Sequence, residues 1–153
     1  EVTTLMASDM LASKKVVSPI ADISAGTFWT GVAGVATMPL FSAGPYGSVI
    51  GHVNILYQGV GAGVAGILDI GHTNGTTFDP DSIVDAEPIP ITAVAGTTVS
   101  VTLANTLRGT TFMSGGLPVI PANQQVYATL TAGAGNTADF VIEIYYVDLE
   151  PGQ

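Results

Sequence analysis

From residue 15 onward the chain is a series of short runs in which aliphatic residues alternate with hydroxyl-bearing ones, each closed by Gly, Pro or Asn. This constrains the fold more than any other feature. A strand returns to the same face at every second residue, whereas a helix needs three or four. In Thr97–Leu103, Val99, Val101 and Leu103 share one face, and Thr98, Ser100 and Thr102 the other. In Gln125–Thr131, Val126, Ala128 and Leu130 oppose Tyr127, Thr129 and Thr131. In Ala138–Leu149, Phe140, Ile142, Ile144 and Tyr146 share a face; Val141, Glu143, Tyr145 and Val147 form the other, mixed enough for a second packing surface.

Further strands are predicted at Lys15–Ile20, Thr27–Val32, Thr37–Phe41, Ser48–Tyr57, Ala65–Ile70, Ile89–Val94 and Thr106–Met113. Turn chemistry separates them: Gly44–Pro45, Asn74–Gly75 and the Gly133–Asn136 stretch. Nine or ten strands fit an all-β, antiparallel, jelly-roll-like β-sandwich better than a seven-strand immunoglobulin sandwich. Gly71–Pro88 is expected to be a corner crossing. The one helical signal is a turn at Met10–Ala12 capped by Ser8 or Asp9. The expected organisation is an N-terminal arm, residues 1–14, and a single β-sandwich domain, residues 15–153.

Charge narrows the functional classes. Only 10% of the 153 residues are charged, against about a quarter in ordinary soluble proteins. A surface of Ser, Thr, Asn, Gly and backbone suits a protein held in an assembly. Twelve acidic residues face three basic ones, Lys14, Lys15 and Arg108, and the net charge of −9 repels phosphate. Nucleic acid, whose backbone is bound through several Lys or Arg side chains, is not an expected partner. There is no cysteine, so disulfides and cysteine-ligated zinc are excluded. No apolar run is long enough to cross a bilayer as a helix, and no membrane partner is expected.

The stretch Leu117–Pro118–Val119–Ile120–Pro121–Ala122–Asn123–Gln124–Gln125–Val126–Tyr127 leads into an alternating strand, a Gly/Asn turn and a final aromatic-rich strand. This pattern, over about Leu103–Leu149, resembles the closing strands of jelly-roll proteins on tailed-bacteriophage particles, the capsid decoration (cement) and head-fibre proteins. The resemblance implies a homotrimeric or otherwise oligomeric module on the capsid exterior, with itself and the major capsid protein as partners. An arm carrying Val2, Leu5, Met6, Met10 and Leu11 could then lie across a neighbouring subunit as a docked turn or added strand. The alternative for those residues is a loose terminus. Self-association predicts surplus aliphatics, Val141, Val147, Ile50 and Leu56, on outward faces.

Chemistry-bearing groups are sparse. A nucleophile needs an adjacent base and something to orient it. The histidines are His52 and His72; Ser48 shares a strand face with His52, but the sequence sets no acid beside them. Asp79, Asp81, Asp85 and Glu87, with Asp69 and His72 upstream, form the densest carboxylate run, read as a solvated acidic loop with a structural calcium loop as its alternative. Trp29, Tyr46, Tyr57 and Tyr127 could stack on sugars, but core packing accounts for isolated aromatics more simply. Asn74–Gly75–Thr76 reads as a tight turn rather than a glycosylation site, and Gly59–Gly63 lacks the Lys-Ser/Thr of a phosphate loop. The expectation is a non-enzymatic virion structural protein without catalytic residues or cofactor. A carbohydrate-binding jelly-roll module of a fibre or adhesin is the second reading.

Overall fold

The computed structural model describes residues 14–18, 21–22, 35–59, 65–90, 92–104, 117–131 and 139–151. They form ten strands: β1 (Lys14–Val17), β2 (Ala21–Asp22), β3 (Val35–Ser42), β4 (Ser48–Tyr57), β5 (Gly66–Thr73), β6 (Phe78–Ile89), β7 (Thr98–Ser100), β8 (Val119–Ile120), β9 (Gln125–Thr131) and β10 (Asp139–Asp148). The fold is an all-β sandwich of two antiparallel sheets. The first has the order β1-β10-β4-β7, with β2 also on β10 and β8 also on β4. The second has the order β3-β9-β5-β6. No helix of the described residues is long and apolar enough to cross a membrane.

The pairings have a simple logic. β5 pairs with β6 across a tight turn, β4 with β7 and β8, β3 with β9, and β1 with β10. Successive pairs of this antiparallel ribbon alternate between the two sheets. β9 and β10 therefore lie in the middle of their sheets, where both neighbours satisfy their backbone groups. The core lies between the sheets. β10 and β4 supply Phe140, Ile142, Ile144, Val53, Ile55 and Tyr57; β5, β6 and β9 supply Leu68, Ile70, Ile83, Val84, Val126 and Leu130. Each aliphatic side chain fully buried in this way contributes about 1.5–3 kcal/mol. Phe41 of β3 stacks on Tyr146 of β10 with ring centroids 4.1 Å apart, joining the two sheets at one end.

The period-two runs from Gln125 and from Ala138 become β9 and β10 with the predicted faces inward, and Ser48–Tyr57 becomes β4. The Asn74–Gly75 turn forms as expected: Gly75 has φ +91°, and the Asn74 side-chain carbonyl accepts from the backbone N–H groups of Thr76 and Thr77. Three expectations are corrected. Residues 71–88 are no corner crossing; they contain the β5–β6 hairpin and nearly all of β6. Among the described residues of Ile89–Val94 only Ile89 is in a strand, because β6 ends there and a turn around Ala95–Gly96 leads to β7. Ile50 does not face outward. Gly51 is an extra residue opposite Tyr145 and Tyr146, and this bulge turns Ile50 into the core while His52 stays exposed. The expected strands Thr27–Val32 and Thr106–Met113, the turn at residues 133–136 and the arm residues Val2, Leu5, Met6, Met10 and Leu11 lie outside the described residues.

Candidate functional site

The most connected polar group lies where the N-terminal segment joins the body. β1 pairs with β10 in register from Lys14↔Tyr146 to Val17↔Glu143. Lys14 Nζ donates to Asp148 Oδ2, and the hydroxyl of buried Ser48 donates to Asp148 Oδ1 at 2.6 Å. The Gly44 N–H in turn donates to Ser48 Oγ at 3.0 Å. Burial pushes the Asp148 carboxyl up, but the hydrogen bonds from Lys14 and Ser48, the Lys14 charge and the Gly44 backbone outweigh it, leaving the group below its ordinary value. The hydrogen bond and charge of Asp148 hold Lys14 above its ordinary value. Beside this pair, Lys15 Nζ lies 3.3 Å from Glu143 Oε2 and 5.8 Å from the Tyr145 ring centre. Ser18 closes the strand, its N–H bonding to Ile142 O while its hydroxyl accepts from the Ile142 N–H. Both described lysines thus pin one short edge strand to β10.

The second polar region follows β5 and β6. His72 Nδ1 and Ser82 Oγ share a 2.6 Å hydrogen bond, and Asp79 is the register partner of His72. Burial lowers the His72 pKa and Asp79 partly offsets this, so the site favours the neutral imidazole. The grouping resembles nucleophile, base and acid in composition, but Ser82 is 1% exposed and its hydroxyl is closed off from substrate. It ties together a large bulge, in which Pro80–Ile83 stand opposite the single residue Gly71. A Cβ on Gly71 would overlap the Asp79 carbonyl oxygen and Pro80, so this crossing requires glycine. A second bulge holds Ala86 at φ 56°, with its N–H bonded to Asp69 Oδ1 at 2.7 Å.

These bulges decide the fate of the acidic run. Asp79, Asp81, Asp85 and Glu87 lie in β6 rather than in a loop, and the irregular strand spreads them along its length. Among the described residues no three His, Asp or Glu side chains converge in a way that could hold a metal ion. Tyr127 points away from the core yet is 5% exposed, because Phe78 packs edge-on to it at 5.8 Å. Burial raises its pKa, and Asp79, Asp81 and Asp69 raise it further. Burial also raises Glu87 and pushes Tyr57 up to about 12, with Glu87 adding to the latter. Tyr57 belongs to the core, edge-on to Phe140 at 6.3 Å, and offers no platform to a sugar. Tyr46 is exposed in the turn before β4.

The structure separates Ser48 from His52, which the sequence places on one face: the Gly51 bulge leaves Ser48 buried and His52 outside. It gives Ser48 the acid that the sequence left out, one hundred residues away. The His72–Ser82 pair was also missed; period-two counting fails across a bulge. No family model, no curated protein and no solved structure matches the chain.

Proposed function

We propose that this chain is a non-enzymatic structural module of a virus particle, a decoration or cement protein that binds the capsid exterior, associates with itself and docks through its N-terminal arm. The observation that carries this reading is the clamp at β1. The arm leads directly into an edge strand held to β10 by four backbone register pairs and two lysine–carboxylate contacts. Pull on the arm is thereby transmitted to a central strand of the sandwich instead of a loop. The ribbon of strand pairs alternating between sheets also supports the jelly-roll reading, since a jelly roll is such a ribbon wrapped around one core. Of the two Ser–His hydrogen bonds among the described residues, the shorter, His72–Ser82, involves a buried hydroxyl, which favours a structural role over hydrolysis for that pair.

The test is to add the purified chain to particles of its own virus that lack it. Binding to the exterior and a higher disassembly temperature are expected. Failure to bind, together with chelator-sensitive retention on a glycan array, would favour the carbohydrate-binding alternative.

A further inference from the structure

The outward face of the first sheet is patterned in rows. Side chains in register on antiparallel neighbours stand side by side, so each set of partners runs across the sheet. Val141, Leu56 and Thr98 make the first row. Val17, Glu143, Asn54 and Ser100 make the second. Lys15, Tyr145 and His52 make the third, and Val147, Val49 and Val119 the fourth. The order is apolar, polar, polar, apolar. All these side chains lie opposite the core-facing set of Phe140, Ile142 and Ile144. The middle rows are linked: the Tyr145 and His52 rings are 6.2 Å apart, and Ser100 Oγ lies 3.4 Å from His52 Nε2.

Charge singles out this face. Glu143, its only carboxylate within the four rows, has Lys15 beside it. The second sheet carries Asp69, Asp79, Asp81, Asp85 and Glu87 on β5 and β6, with no Lys or Arg among its described residues. Two copies of a chain with net charge −9 repel one another over most of their surface. The balanced rows are where a second, equally acidic copy can approach.

We infer that a second copy of this chain docks on these rows, face to face, about a two-fold axis lying between the sheets and running across the strands. That axis turns the first row onto the fourth and the second onto the third. Val141 and Leu56 of each copy meet Val147 and Val119 of its mate, Val49 of that row being already buried within its own chain, while Glu143 meets the Lys15–Tyr145–His52 row, reciprocally. Such a contact joins two copies and differs from the trimer implied by the resemblance. The inference specifies the self-association within the proposed function and can fail separately from it.

A charge swap tests it. Light scattering on the full chain should give twice the chain mass. Glu143→Lys and Lys15→Glu should each weaken association by about tenfold or more, and mixing the two variants should restore a dimer, since every cross-copy pair is then opposite in sign. Leu56→Asp, with no place in the core, should give a monomer with an unchanged circular dichroism spectrum; Ile67→Asp, exposed on the second sheet, should leave the dimer intact. A monomeric or trimeric parent chain, a dimer indifferent to Leu56→Asp, or no recovery on mixing would each overturn this interface. If such a chain still bound particles, the proposed function would survive without it.

Discussion

At the residue scale, Ser48 shows how one buried hydroxyl secures a distant contact. It accepts from the Gly44 N–H and donates to Asp148, so it links the turn before β4 to the end of β10. Ser48→Ala removes a charge-assisted bond and leaves a half-buried carboxylate short of a donor. A loss of about 1–2 kcal/mol is expected, read as a lower denaturant midpoint with an unchanged slope. Two groups lower stability on acidification, while Glu87, raised by burial, is protonated first in the folded chain and acts in the opposite direction above its ordinary 4.5. His72 has a folded pKa below its ordinary 6.5, so the unfolded chain takes up its proton first and stability falls as pH drops below that value. Asp148 has a folded pKa below 3.8, so its contribution is full above that value and is lost as pH falls through the folded pKa. Thermal midpoints should therefore decline in two stages on acidification, and His72→Gln should remove the upper one. Neither group was legible as a partner in the sequence. Their contacts come from sequence-distant pairing and from bulges, whereas the alternation that identified Val126, Ala128 and Leu130 as core is written locally.

At the scale of elements, β7 and β8 are two parts of one interrupted strand. On β4 the positions Ile55 and Val49 are six apart, while their partners Val99 and Val119 are twenty apart, fourteen residues more than one continuous strand would need. The chain leaves after Val101, whose N–H still bonds to Val53 O, and Ala104 then donates to Ile83 O of the opposite sheet at 2.7 Å. Deleting Ala104–Leu117, which joins Leu103 to Pro118, is expected to give one continuous strand on β4 at a cost of about 1 kcal/mol for the lost bond. A far-ultraviolet spectrum unchanged in shape and a single cooperative melt would check this; loss of cooperativity would show that the excursion is needed for folding. The sequence expectation of one strand over Thr97–Leu103 identified its faces, with Val101 buried and Thr98, Ser100 and Thr102 exposed. It could not show that the strand resumes at Val119, because two residues carry no periodicity. Ile89–Val94 failed for the converse reason: β6, bent by two bulges, reaches the first residue of β5 at the Gly66–Ile89 pair, so pairing ends where that apolar run begins.

At the scale of the whole molecule, charge is divided between the sheets. Lys15 balances Glu143 on the outward rows of the first, and carboxylates gather on the second. The sequence showed the net charge and the shortage of basic residues, but only the register of β1 with β10 shows that both described lysines hold β1 to β10. The most direct test of the proposed role compares the full chain with one beginning at Lys14 in co-sedimentation with virus particles. Both should fold alike, since β1 and the clamp to Asp148 and Glu143 are retained; the full chain should pellet with the particles and the shortened one should stay in solution. Equal binding by both would contradict docking through the arm, and binding by neither would contradict the particle-surface role itself.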